Sequence, residues 1–528
     1  MTASVRSEHN RAWRFVVALA LLLFCWTHRH ALQLGGFADD LGLLAELPQR
    51  AEQGTLLADV LAKWLGPLWP GSTMWRPLAY SSFAFDAALW GHAPGMWRIT
   101  NLLLHLGVAT VVGLVATRLT AVRLAGAAAF ATVLLAPWAP EVTLWLVGRF
   151  DGWATFAIAV SLWAALKSRG ADRWCALSLA AAIAAYASKE SALIVPLWIV
   201  LAVGLRAFVI NTPQVNRFRS TALIASHSSG LLIISHWLLA AAYLVWRSYL
   251  FSGQAIAVYA SAPEYRVLPL MARVLAHLAF PAALAPLAPI AATVVAMCVL
   301  LMLVVLRKAQ PSVALVGCVM TVSVVVAVAI YFANPAGTGD GYRLYYLATV
   351  GLALIVGASF KKADTLSVAL LVVCITALAV WQSRVAAEWT HASRTVASAS
   401  RAMTDAAATL DPGEFGLVLL PDIMGHVPLA RNAQGALTAI SNETDTARDF
   451  FIIFTPPQLP EWFLLAQEDV VTKLTRRASA PAKVTRYFCF NSSKQSLEDL
   501  RYWAPGTLSQ WTAHWREAVA ARCPDITL

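Results

Sequence analysis

Long apolar runs, each closed by charged or turn-forming residues, dominate the first 384 positions and give way to a mixed polar pattern beyond them. A hydrocarbon core of about 30 Å needs about 20 mostly apolar residues in a helix. On that measure the pattern predicts about eleven spans. They fall near 13–33, 97–117, 122–140, 150–167, 172–188, 190–210, 229–251, 282–306, 312–334, 344–360 and 365–384. The uncharged run from Phe15 to Thr27 would also suit a signal-peptide core, but no small-x-small cleavage site follows it, and it is read as a helix.

Two stretches outside this array are large enough to fold. Residues 34–96 are amphipathic and rich in Trp and Pro, which predicts short helices lying on the membrane surface. After residue 384 a polar helix pattern runs over 385–410 and stops at Asp411-Pro412-Gly413. Gly416–Leu420, Phe450–Phe454 and Arg486–Phe490 read as buried strands, and Ser496–Trp503 and Gln510–Arg522 as helices. The expected fold is an all-α polytopic membrane protein carrying a small C-terminal α/β domain, with a transmembrane domain over 1–384 (including the loop 34–96) and a second domain over 385–528. No repeat of about 34 residues or similar period is visible.

Composition agrees with this picture. The chain is 59% hydrophobic and 13% charged, against about 25% charged in an average soluble protein, and its mean hydropathy is +0.63. A soluble enzyme, a disordered tail, a collagen-like chain and a disulfide scaffold are excluded. The net charge of +11 does not point to nucleic acid, because the basic residues sit in small groups between apolar runs. They act as topology signals. With the N-terminus inside, every predicted cytoplasmic segment is basic: Arg6, Arg11 and Arg14; Arg118 and Arg123; Lys167, Arg169 and Arg173; Arg206, Arg217 and Arg219; Arg307 and Lys308; Lys361 and Lys362. An odd number of spans then places the segment after residue 385 outside, in the periplasm if the source is a Gram-negative bacterium. Most of the 21 tryptophans are read as interfacial anchors. Cys489 and Cys523 are the only cysteines of that exported segment, and they form either a disulfide or two free thiols. No metal-type Cys/His spacing is present.

Ionisable groups at or near membrane depth are functional candidates because desolvating a charge is costly. Asp39 and Asp40 follow the first span and can serve as a general base, bind a cation or start a helix. Trp75-Arg76-Pro77-Leu78, Asp86 and Leu89-Trp90-Gly91 lie in the first outer loop. Asn101 and His105 share a face of the second span and are read first as partners of neighbouring helices. Glu141 sits at the outer end of the third span; Arg149 and Asp151 follow, and pairing with each other would suffice to explain them. Ser188-Lys189-Glu190 is a tight polar turn outside, between two spans, either functional or simply solvated. Arg343, flanked by Tyr342, Tyr345 and Tyr346, suits a phosphate and equally suits a snorkelling interfacial arginine.

The order of these elements resembles the membrane region of the GT-C superfamily of polyprenyl-phosphate-sugar-dependent glycosyltransferases, in particular its tetratricopeptide-linked O-mannosyltransferase-like branch. The resemblance rests on the Asp-Asp after the first span, W-R-P-L, D-x-x-L-W-G, N-L-L-L-H, P-E…V-G-R-x-D, S-K-E and the late R-L-Y-Y, covering about residues 35–200 and 340–350. It implies a GT-C-like bundle and an inverting transfer of a sugar from a polyprenyl-phosphate donor to an acceptor on the outer side. Asp40 or Asp39 would be the base, Arg343 the phosphate ligand, and Lys189 and Arg149 supporting cations. Glu141 would stand near the acceptor, Arg76 would belong to the substrate-binding set, and Trp75 and Trp90 would stack on sugar faces. No resident cofactor is implied, and the need for a divalent metal is left open; the partners are membrane lipid, the lipid-linked donor and a glycan, lipid or protein acceptor. The tail lacks tetratricopeptide repeats, so neither mannose nor a protein acceptor carries over. The middle loop 252–281, with Glu264, Tyr265, Arg266 and Arg273, matches nothing in the pattern, and Leu420–Pro428 followed by Arg431–Gly435 is either a binding loop or an ordinary strand-to-helix connection. Two rival functions fit the same composition, a transporter or flippase of a lipid-linked sugar and a non-catalytic scaffold. Neither internal repeats nor broken helices, which transporters commonly carry, are visible.

Overall fold

The computed structural model describes residues 3–69, 72–210, 219–252, 310–331, 342–360, 364–407, 409, 414–421, 423–424, 427–429, 451–454, 483–500, 517–524 and 526. The helices are α1 (Ala3–Thr27), α2 (Asp39–Glu52), α3 (Leu56–Leu65), α4 (Pro77–Trp90), α5 (Pro94–Thr120), α6 (Arg123–Leu134) and α7 (Ala139–Thr143). They continue as α8 (Arg149–Lys167), α9 (Arg173–Tyr186), α10 (Val195–Ile210), α11 (Arg219–Leu250), α12 (Pro311–Tyr331), α13 (Ala348–Ala358) and α14 (Thr365–Ala407). Among the described residues four helices are long and apolar enough to cross a membrane, over Ala12–Gln33, Pro94–Thr120, Gly230–Leu250 and Thr365–Ala406.

Several expected spans start late or stop early, and proline is a recurring cause. The run 122–140 ends as a helix at Leu134, because Pro137 and Pro140 cannot donate to a continuing ladder. The run 190–210 becomes a 3-10 turn, Glu190–Ile194, followed by α10 with Pro196 in its first turn, where its missing N–H is harmless. The run 344–360 splits into a 3-10 turn, Tyr342–Tyr345, and α13. Conversely, the runs 365–384 and 385–410 are one 43-residue helix, α14. The expected span 282–306 and the loop 252–281 beyond its first residue, with Glu264, Tyr265, Arg266 and Arg273, lie outside the described residues.

Two compact units emerge. The first comprises Met1–Arg29, Gly54–Leu89 and Met96–Ala386. Its core is built from small and branched side chains of α5, α6, α8, α10, α12 and α13, among them Val108, Ala128, Val133, Ile158, Ile199, Val325 and Leu354. Buried polar groups tie its strands of chain together where helices end. The Gln382 amide donates to the carbonyls of Leu134 at 3.0 Å and Ala136 at 3.1 Å, while Thr27 donates to Gln382 Oε1 at 2.8 Å. Within the same unit α3 buries none of its residues, and Leu57, Leu61 and Leu65, spaced four apart, are 70%, 56% and 73% exposed. One turn-to-turn apolar stripe of this kind fits the surface-lying helix expected of the first loop.

The second unit comprises His30–Gln53, Trp90–Gly95 and Ala387–Leu528. The expected 385–528 domain therefore takes in part of the first outer loop. The cause is local bonding: His92 Nδ1 donates to the Leu44 carbonyl at 3.0 Å, and the Gly35 N–H donates to Ser393 Oγ at 2.9 Å. The tail holds a four-stranded sheet in the order β4-β1-β5-β6, from β1 (Glu414–Leu419), β4 (Phe451–Phe454), β5 (Lys483–Asn491) and β6 (Ser496–Asp499). β1 is parallel to β4 (Gly416 opposite Phe451) and to β5 (Leu417 opposite Tyr487). A small antiparallel pair, β2 (Ile423–Met424) and β3 (Val427–Pro428), stands apart.

Ser496–Asp499 is a strand rather than the start of a helix. Asn491 Oδ1 accepts from the Lys494 N–H at 2.9 Å, Gln495 takes a φ of 54°, and the closed turn returns the chain antiparallel to β5 with Phe488 opposite Asp499. The Asx-type turn and the ladder override local helix preference. The described part of the expected final helix, 517–522, is helical. Cys489 and Cys523 are joined in a disulfide.

Candidate functional site

Asp39 and Asp40 occupy the first turn of α2, where carboxylates favour the positive end of the helix dipole. Ala38, not an aspartate, stands at the cap position, and its side chain makes no cap hydrogen bond. Asp40 is fully buried and Asp39 keeps part of its surface exposed. The Phe37 N–H points at Asp40 Oδ2 from 3.4 Å.

The second outer loop is organised by the start of α5. Asn101 Nδ2 donates to the carbonyls of Val142 and Trp145 at 3.0 Å each, and Arg98 Nε donates to that of Leu144 at 2.6 Å. Loop carbonyls buried beside a helix need donors, and these two side chains supply them. A Cβ on Gly148 would collide with the Glu141 carbonyl, so the glycine of V-G-R-x-D lets the loop fold back on itself. His105 Nε2 donates to the Leu134 carbonyl at 3.1 Å, which fixes that nitrogen as the protonated one of a neutral ring, and Nδ1 accepts from the Tyr346 hydroxyl at 2.6 Å. Asn101 and His105 therefore bind neighbouring chain, as their shared face suggested.

Arg149 and Asp151 do not pair with each other. Arg149 lies 2.6 Å from Asp86 Oδ2, and its other nitrogens donate to Asn101 Oδ1 at 2.7 Å and the Trp97 carbonyl at 2.7 Å. Burial pushes the Asp86 carboxyl above its ordinary value, against the opposing pull of Arg149 and a hydrogen bond from Thr100. Asp151 instead accepts from Lys189 Nζ at 2.5 Å.

Lys189 and Glu190 are the centre of the buried charge. The turn that carries them is not a solvated one: Ser188 is fully buried, and the Lys189 and Glu190 side chains are only 12% and 13% exposed. Glu190 accepts from Arg76 at 2.9 Å and from Arg247 at 3.2 Å, and Arg247 also donates to the Thr73 carbonyl at 2.6 Å. Burial alone would raise the Glu190 carboxyl, but Arg76 and Arg247 outweigh it and hold it below its ordinary value. Desolvation lowers the Lys189 ammonium, Asp151 opposes this, and the nearby Arg76 and Arg343 add repulsion. Arg343 lies over the Trp145 ring, 4.5 Å from its centroid, in the turn just before α13. Glu141 is fully buried and acts electrostatically on Tyr345.

Of the residues expected at the site, Arg76, Lys189 and Arg343 thus come together, with Glu141 beside Tyr345. Arg149 belongs to a separate ion pair with Asp86. Trp75 is buried, donates from Nε1 to the Trp64 carbonyl at 3.1 Å and packs on Tyr243 and Trp246. Trp90, 37% exposed, belongs to the second unit, as do Asp39 and Asp40. Arg247 was missed by motif reading. Its signal was available, an arginine inside the apolar run Ala240–Leu250, since a charge so placed needs a partner. Among the described residues no group of three or more His, Cys, Asp or Glu side chains is arranged to hold a metal ion.

No protein-family model matches the chain. No curated protein is significantly similar to it. Among solved structures, the chain is similar to ArnT from Cupriavidus metallidurans bound to undecaprenyl phosphate, with a TM-score of 0.44 at 14% identity over 90% of this chain and 95% of that one. It is likewise similar to ArnT of the same organism in the apo state, with a TM-score of 0.45 at 14% identity over 91% and 93% of the two chains.

Proposed function

We propose that this protein is a GT-C-type glycosyltransferase that moves a sugar from a polyprenyl-phosphate carrier to an acceptor on the outer side of the membrane. The observation that carries the reading is the buried charge around Lys189 and Glu190. Four cations, Arg76, Arg247, Lys189 and Arg343, meet there with two carboxylates, Glu190 and Asp151. An excess of positive charge held in a poorly solvated place is complementary to a phosphate, whose negative charge grows as the sugar C–O bond breaks. Arg343 and Lys189 are the phosphate ligands in this reading. Arg76 and Arg247 hold Glu190 and keep the field positive, and Arg149 supports the loop that carries Glu141. Asp40 or Asp39 takes the proton of the acceptor hydroxyl as it attacks the anomeric carbon in line, inverting that carbon.

The test uses purified, membrane-inserted protein and a lipid-phosphate sugar donor identified by mass spectrometry of surface glycans from cells with and without the gene. Arg343→Ala should weaken donor binding and turnover together, because the phosphate is charged in ground and transition states alike. Arg343→Lys should restore only part, since an ammonium lacks the planar two-point contact. Asp39→Asn and Asp40→Asn should lower turnover by about 10²–10⁴-fold in whichever position is the base, with donor binding intact. Unchanged donor affinity in Arg343→Ala would remove the phosphate assignment. Wild-type turnover in the double Asn variant would remove the base assignment, whereas no sugar transfer by the wild-type protein would favour a flippase or a scaffold.

A further inference from the structure

The residues just before the acid pair are in an unusual conformation. Ala38 has φ 40° and ψ −118°, a region that side chains other than glycine rarely enter. Such a backbone persists only where its surroundings over-determine it, and it clusters at functional sites. The groups that hold it here belong to the second unit. The Ala38 N–H donates to the Leu429 carbonyl at 2.9 Å. The Gly35 N–H donates to Ser393 Oγ at 2.9 Å. The Phe37 ring meets Trp389 edge to face, centroids 5.2 Å apart. Trp389 and Ser393 are four residues apart on α14 and so present one face. Leu429 directly follows β3, so the β2–β3 pair is what delivers its carbonyl. Between these anchors Gly36 packs closely, since a Cβ there would meet the terminal methyls of Leu41 and Leu44 at 2.8 Å. Phe37, Ala38, Trp389 and Leu429 are each 3% exposed or less.

We infer that the C-terminal segment is a positioning device for the Asp39–Asp40 pair, with Trp389, Ser393 and the Leu429 carbonyl as the positioning groups. They hold residues 35–38 in the strained form that sets where α2 begins and therefore where its two first carboxylates point. The inference rests on the reading of that pair as the acceptor-activating acid. It gives the turn-rich segment Leu420–Pro428 a structural task other than ligand binding. A base displaced by about 1 Å can lose about 10²-fold in rate without touching the donor.

The test uses the full-length protein in lipid nanodiscs. Ser393→Ala and Trp389→Ala should each lower kcat by about 10–100-fold at unchanged donor KM. Ser393→Thr and Trp389→Phe, which keep the hydroxyl and the ring, should restore most of it. Hydrogen exchange in a peptide spanning 35–41 should speed up in both alanine variants and stay slow in the conservative ones. If Trp389→Ala fails to fold, Ser393→Ala, which removes one oxygen, carries the test. Wild-type kcat in Ser393→Ala, or exchange over 35–41 as slow as in wild type, overturns the inference. The Asp39→Asn, Asp40→Asn double variant run in parallel separates the two ideas. If it is inactive while Ser393→Ala is fully active, positioning fails and the base reading stands. If it is fully active, the base reading fails, and exchange over 35–41 still reports whether the segment is held.

Discussion

Arg149 and Asp86 form a fully buried ion pair 2.6 Å apart, joining the start of α8 to α4 across 63 positions of sequence. The pair does more than cancel charge. Arg149 also reaches Asn101 and the Trp97 carbonyl, so α4 and α5 both converge on the guanidinium that α8 carries.

Breaking that pair should therefore be felt first in folding. Asp86→Asn leaves a buried guanidinium short of its counter-charge, and losing one partner of such a pair costs about 3–5 kcal/mol. Arg149→Lys should fall short of wild type because an ammonium cannot serve Asp86, Asn101 and the Trp97 carbonyl in one plane. Thermal unfolding in detergent should show both. A wild-type midpoint in Asp86→Asn would refute the structural role.

Glu190 should make the first unit acid-sensitive. Its carboxyl in the folded protein sits below the ordinary value of 4.5. As the pH falls through 4.5 the unfolded chain takes up this proton first, so the stability that Glu190 contributes above that pH is lost down to the lower folded value. Glu190→Gln should remove this part of the acid dependence and lower stability at neutral pH, because Arg76 and Arg247 keep their charges. Melting curves between pH 3 and 7, run on both proteins, decide it; parallel curves would contradict the assignment.

Topology is testable by fusion. The basic groups in alternate segments predict that a periplasm-active reporter joined after residue 400 is active and one joined after Lys362 is inactive. The opposite pattern would place the acid pair on the wrong side for an outer acceptor.

The disulfide closes a loop over a sequence separation of 34 residues. In the chain-entropy model this stabilises the tail by about 3–4 kcal/mol. Cys489→Ser should lower the stability of the tail by a similar amount, read as earlier proteolysis of the tail in limited digestion. If the tail is the positioning device inferred above, the same variant should also lower kcat.

The sequence by itself determined what the lengths of its apolar runs encode. Long runs separated the membrane array from the tail, and short apolar runs marked the buried strands Gly416–Leu420, Phe450–Phe454 and Arg486–Phe490 close to where β1, β4 and β5 lie. The residue types that carry the chemistry were also legible, because charges among apolar runs are conspicuous. Their partners were not. Arg149 and Asp151 are neighbours in sequence, yet two residues apart on one helix they do not face each other, and each turned to a residue 63 or 38 positions away. Glu190 found Arg76 and Arg247 in the same way, from chain segments no local pattern links. Tertiary structure also decided that Ser496–Asp499 is a strand, because ladder bonds to β5 exist only once β5 is in place. Propensity and periodicity act over a turn or two of chain. Which buried charge meets which is set by how helices pack, and desolvation then makes each of those meetings obligatory.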